Sequence, residues 1–208
     1  DLATKIVRYV SPKGIAMYPW VLTADTAFVK EGVYHIQLEC SQDDPKTTEL
    51  VEKLTVILDK EHETLSKEKN KKLNKIPFFE ESEDGKHLVF KFKQNKIIKR
   101  KDGTTSEVKI PLFDAKGKPI TESIKLGNGS VCRVSFTVAP YFNATNKGVG
   151  LSLRLVAVQV IELVEYSAGN AESYGFDEEE GYEAKDADED PPFEESYGSS
   201  EDANNGDY

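Results

Sequence analysis

Between Lys86 and Lys101 the chain carries seven bases, Lys86, Lys91, Lys93, Lys96, Lys99, Arg100 and Lys101, and no acid. Within that stretch Phe90-Lys91-Phe92-Lys93 alternates, so on a strand both phenylalanines fall on one face and both lysines on the other. With the rings in a core, Lys91 and Lys93 form a cationic stripe of the kind that neutralises a phosphate backbone. A single alternating strand, taken alone, reads better as an ordinary solvated face. The balance shifts because aromatics recur beside bases elsewhere: Tyr141 shares strand parity with Arg133, and Tyr18 with Trp20 on an early strand. Such rings hold unstacked nucleotides with little regard to sequence. For Tyr141, next to a loop, stacking is the favoured reading; for Tyr18 and Trp20, stacking and core packing stay equally open.

Other chemistry is absent or rejected. The sequence has no phosphate-cradling glycine loop followed by Lys and Ser or Thr, no histidine pair at zinc spacing and no nucleophile elbow. No catalytic residue, metal ligand or cofactor is therefore assigned. Glu61-His62-Glu63 falls late in a helical pattern, where adjacent side chains point apart, and reads as a solvated surface. Asp186, Asp188 and Asp190 imitate the start of a calcium loop, but Pro191 stands at its glycine position and Tyr197 at its bidentate glutamate position.

Charge divides the chain sharply. Residues 170–208 hold fifteen Asp or Glu against the single base Lys185, while the remainder holds 26 Lys and Arg against 22 Asp and Glu. A net +4 body is thus hidden behind a whole-chain charge of −10, and a basic body joined to an acidic tail points to a body that meets a polyanion. From Ser167 onward no Val, Leu or Ile remains to make a core, so 167–208 reads as a disordered acidic tail. It keeps six spaced aromatics, Tyr174, Phe176, Tyr182, Phe193, Tyr197 and Tyr208, which a purely solubilising tail would not need. Cys40 and Cys132 sit singly in apolar runs and read as buried thiols in a reducing compartment. With no signal-type segment and no bilayer-length apolar run, a soluble intracellular protein is expected.

The elements that must position these residues are mostly strands. Ile15–Leu22 and Gly32–Leu38 read as two early strands. Asp44-Pro45 is a helix start, and Leu50, Leu54, Ile57, Leu58 and Leu65 recur at helical spacing, predicting one amphipathic helix over about Lys46–Ser66. Further strands are expected at Leu88–Lys93, Val108–Phe113, Val131–Phe142 and Leu151–Leu163, with a turn at Asp114–Gly117. In the last strand apolar parity changes from odd (Leu151, Leu153, Leu155) to even (Val158, Val160), which implies a bulge or burial on both faces. Several strands and one helix without βαβ repetition predict a mainly β fold, a Greek-key OB-type barrel over 1–166.

The order of Tyr18-x-Trp20, Gly32-Val33-Tyr34, the helix, Pro77-Phe78-Phe79, Phe90-Lys91-Phe92-Lys93, Ser135 to Tyr141 with its Pro140-Tyr141, and Glu162-Leu163 resembles the gene-2.5-type single-stranded DNA-binding proteins of tailed phages. The resemblance runs from about Ile15 to Tyr166. It implies an OB-fold homodimer, in the cytoplasm of an infected bacterial host, that coats single-stranded DNA in replication, recombination and repair. It also implies annealing activity and contacts to phage DNA polymerase and primase-helicase through the tail. Lys91, Lys93, Arg133 and Tyr141 then look like the family's cationic and aromatic contacts, and Tyr18 and Trp20 stay candidates on their own residue types. Three positions depart from the family pattern. Glu31 stands where relatives can carry a base before Gly-Val-Tyr, leaving Lys30 as its neighbour. Asn143 replaces an expected aromatic, with Phe142 as substitute. The tail, with Phe193, Asp207 and Tyr208 as its docking residues, ends in Tyr rather than Phe. The rival from another class is an acidic-tailed chaperone or interaction protein for basic clients; a nuclease ranks last, because no carboxylates cluster.

Overall fold

A computed structural model describes residues 7–165. Its elements in chain order are β1 (Tyr9–Val10), β2 (Gly14–Asp25), β3 (Val33–Ser41), α1 (Pro45–Lys69), β4 (Asn74–Lys75), β5 (Phe79–Glu81), β6 (His87–Asn95), β7 (Ile97–Lys99), β8 (Thr105–Glu107), β9 (Leu112–Phe113), β10 (Val131–Asn143) and β11 (Gly148–Glu162).

Alternation decides the strands. In β3, Tyr34, Ile36, Leu38 and Cys40 are buried and the residues between them are not; in β6 the same holds for Leu88, Phe90 and Phe92. Antiparallel pairing joins β2 to β3 and β3 to β6. β6 then lies parallel to β11, with Phe92 opposite Leu153, and β11 runs antiparallel along the length of β10. β10 returns to β2 at Val131 opposite Ile15. These five strands form a closed circuit, in which β2 meets β10, and β6 meets β11, over two residue pairs each. Phe90, Phe92, Phe136, Ile36 and Leu155 fill its interior.

The helix begins where Asp44 accepts a hydrogen bond from the Lys46 N–H at 2.9 Å, with Pro45 in the first turn where a missing N–H costs nothing. Thr47, Leu50, Leu54 and Leu58 are buried, and α1 packs against β11 and β4. It runs about one turn past the expected end at Ser66. Lys67 and Lys69 suit the negative end of the helix dipole, and Asn70 takes the left-handed conformation (φ 46°) that closes it.

The parity change in the last strand is a bulge. Ser135 faces Ala157 but Phe136 faces Leu155, so Val156 is the extra residue. The expected strand Val108–Phe113 is corrected: only Leu112–Phe113 pairs, beside β11. Pro111 has no N–H for a ladder, and the Val108 N–H is taken by the Lys96 carbonyl at 2.7 Å. The segment before it instead forms a separate hairpin, β7 with β8, carrying Lys99, Arg100 and Lys101 around its tip. The Asp114–Gly117 turn is present, with Gly117 N–H to Asp114 O at 3.0 Å and Gly117 at φ 80°. Among the described residues no helix is long and apolar enough to cross a membrane, and no group of His, Cys, Asp or Glu could hold a metal ion. The expected acidic tail, with Phe193, Asp207 and Tyr208, lies outside the described residues.

Candidate nucleic-acid interface

On the outer face of the circuit the sheet register lines up one residue per strand. Trp20 of β2 is opposite His35 of β3, His35 opposite Lys93 of β6, Lys93 opposite Arg154 of β11, and Arg154 opposite Thr137 of β10. All five point outward because their chain neighbours Val21, Tyr34, Ile36, Phe92, Leu153 and Phe136 point inward and are buried. Trp20 and His35 bring their rings to 6.4 Å, tilted by 36°. The His35 ring lies 3.2 Å from the Asp25 carboxylate. The Ala27 N–H, and after it the His35 ring, hold the Asp25 carboxyl below its ordinary range.

Lys91 stands two residues before Lys93 on the same face, where its ammonium donates to Glu80 at 2.6 Å. Lys93 and Arg154 have no ion-pair partner among the described residues. Together with Ser152 they form the common boundary of two depressions. One, of about 530 Å³, runs past Lys91 to Phe79, Pro140 and Tyr141. The other, of about 680 Å³, runs between the β2–β3 turn, which contributes Val29, Glu31 and Gly32, and β7, which contributes Ile98 and Lys99. Two cations at the centre, with Phe79 and Tyr141 toward one end and Trp20 in the same row, suit a chain of alternating anionic and flat apolar groups.

Tyr141 is 42% exposed at the open end of the first depression. Tyr18 and Trp20 are 53% and 45% exposed, which removes the core-packing alternative. They line a third depression with Leu22, Ile124 and Leu126, and Trp20 alone of the two joins the row. Tyr18 sits at φ 50°, a left-handed conformation unusual for a bulky residue. Its N–H donates to Asn128 Oδ1 at 2.7 Å, and the β2–β3 register slips between Met17 and Trp20.

Three expected residues are not gathered here. Arg133 has the predicted outward parity but turns toward the chain start, its Nε donating to the Ser11 carbonyl at 3.2 Å beside Tyr9 and Lys46. Phe142 is half-buried against the core, with the Lys69 ammonium 4.4 Å from its ring centre. Lys30 is exposed on the β2–β3 turn, but it is Glu31 that lines the depression. Arg154 and His35 were missed. The signal for Arg154 was present, since Leu153 and Leu155 inward put Arg154 outward by the same alternation that exposed Lys91 and Lys93.

Residues 15–163 match the family described as single-stranded DNA-binding protein, bacteriophage T7. The chain is 27% identical over 165 residues to the single-stranded DNA-binding protein of Enterobacteria phage T3, covering 72% of this chain and 70% of that protein. It is 27% identical over 168 residues to that of Escherichia phage T7, covering 74% and 72% respectively. The crystal structure of gp2.5, a single-stranded DNA-binding protein encoded by bacteriophage T7, superposes with a TM-score of 0.70 at 22% identity over 77% of this chain and 94% of that one. At that identity the superposition establishes a shared mainly β fold with one helix.

Proposed function

Since the chain belongs to the family of single-stranded DNA-binding proteins that includes the bacteriophage T7 protein, we propose that it binds single-stranded DNA along the row from Trp20 through His35 to Lys93 and Arg154. The family is one of binding proteins, not enzymes. Lys93 and Arg154, joined by Lys91 when it leaves Glu80, neutralise phosphates. Trp20 and Tyr141 stack on bases. Every contact of this kind is available to any sequence, so discrimination among bases is weak. The closed five-stranded circuit fits an OB-type Greek-key barrel, a fold that commonly binds oligonucleotides across its sheet face. The observation that carries the reading is the register itself, which sets Lys93 and Arg154, neither with an ion-pair partner among the described residues, in one row beside His35 and Trp20.

The acidic segment 167–208 supplies a regulator of this surface. Tethered to the body, it meets the cationic row at an effective concentration on the order of millimolar and competes with DNA for it. Once DNA displaces it, its acids and aromatics, Phe193, Asp207 and Tyr208 among them, are free to dock on phage DNA polymerase and primase-helicase. A homodimer that coats and anneals single strands during replication, recombination and repair in the infected host cytoplasm completes the picture.

Filter retention of labelled oligo-dT and of duplex DNA, with the whole chain and with a chain ending at residue 166, tests both parts. Single strands should be retained, more tightly by the shortened chain, with the difference largest at low salt. Equal affinities at low salt would overturn the tail's competition. Retention of neither DNA would overturn the binding reading and favour an acidic-tailed chaperone.

A further inference from the structure

Phe28 is 96% exposed, at the tip of the turn between β2 and β3, and Val29 beside it is 40% exposed. A lone exposed apolar residue needs no explanation, but this turn is pinned at both ends. Asp25 accepts from the Ala27 N–H at 2.8 Å while holding His35. Gly32 donates to Val29 O at 2.8 Å and accepts from the Lys96 N–H at 3.0 Å. At φ 89°, with Ala24 only 2.8 Å from where its Cβ would be, Gly32 admits no side chain. The ring is therefore presented, not left on a slack loop.

The turn forms one wall of the depression whose boundary holds Lys93 and Arg154 and whose opposite wall holds Lys99. On the Phe28 side the lining residues are Val29 and Glu31, an aliphatic and a carboxylate, and these cannot receive a phosphate. The cavity thus has its cations on one side and none on the side of the turn, where Phe28 stands just outside the lining next to Val29; a nucleotide with its phosphate on Lys93, Arg154 and Lys99 has its base toward the turn. We infer that Phe28 is a stacking residue that receives a nucleobase at the far end of the strand path from Tyr141. This inference rests on the binding of single-stranded DNA proposed above. The grip at this end is apolar, so it survives salt that weakens the phosphate contacts.

Oligo-dT titrations of the parent, Phe28→Ala and Phe28→Trp over a range of salt, with a photo-crosslinking p-benzoylphenylalanine placed at position 28, form the test. Phe28→Ala should bind roughly five-fold or more weakly, with an unchanged dependence of log K on log [salt]; Phe28→Trp should restore binding; irradiation should join position 28 to the oligonucleotide. Parent-like binding by Phe28→Ala, or a crosslink between two protein chains in place of one to DNA, overturns the inference and leaves the binding row intact. Failure of the parent itself to bind oligo-dT overturns the row, and the inference with it.

Discussion

Tyr141 lies across Gly150. The two are register partners on β10 and β11, and a Cβ at position 150 would stand 2.6 Å from Tyr141 Cζ and 2.7 Å from its hydroxyl oxygen. The missing side chain lets the aromatic ring settle against the sheet and present its other face at the mouth of the depression that contains Lys91 and Lys93.

Gly150→Ala should therefore lift the ring without unfolding the barrel, because the atoms that must move are the far end of one side chain. The expected result is a thermal midpoint close to the parent's and oligo-dT affinity lowered toward that of Tyr141→Ala, which should lose about 1–3 kcal/mol if one base stacks there. Fluorescence titration with a circular-dichroism melt checks both halves.

Glu80 competes for Lys91, holding its ammonium at 2.6 Å. Both side chains are largely exposed, so the pair contributes little to stability. Glu80→Gln should tighten single-strand binding several-fold at low salt, where screening is weakest, and leave the melt unchanged. Lys91→Met should weaken binding in both backgrounds, with the larger loss in Glu80→Gln.

In the turn before β6, the Ser82 hydroxyl at 2.6 Å, then the Lys86 N–H at 2.9 Å, bring the Asp84 carboxyl down to about 2. Since the folded value lies below the ordinary 3.8, its contribution to stability is fully present above pH 3.8 and fades as pH falls through 2. The difference in melting temperature between the parent and Asp84→Ala should be largest near neutrality and shrink between about pH 4 and pH 2. A difference that stays constant across that window would show that the turn does not depend on the ionised carboxylate.

Cys40 and Cys132 are both free and fully buried, and desolvation pushes each thiol up to about 12. Thiolate is the reactive form, so neither should be alkylated in the native chain at pH 8, and both should be once it is unfolded. Mass spectrometry after iodoacetamide treatment reads the count directly.

How far the sequence could be read depended on how local each signal was. Alternation around Phe90 and Phe92 fixed the outward placement of Lys91 and Lys93, and the odd-to-even switch after Leu155 marked the bulge at Val156, because both are properties of one strand. The Asp44-Pro45 start of α1 was equally local. The row from Trp20 to Arg154 was not, since it depends on the register between strands far apart in the chain, above all the parallel pairing of β6 with β11. Parity gave Arg133 the correct face but not its position along the barrel, where Ser11 engages it. Phe142 follows Tyr141 directly, and on a strand that sends it to the opposite face, against the core and under Lys69.

The central claim is that Lys93 and Arg154 jointly hold the phosphates of a single strand. The decisive measurement is the slope of log K against log [salt] for oligo-dT with the parent chain and with the Lys93→Ala/Arg154→Ala pair. Each lost phosphate contact on a single strand should remove about 0.7 from the slope, so the double variant should be shallower by about 1.4. Equal slopes in the two proteins would mean that the DNA runs elsewhere on the barrel, and would contradict the account.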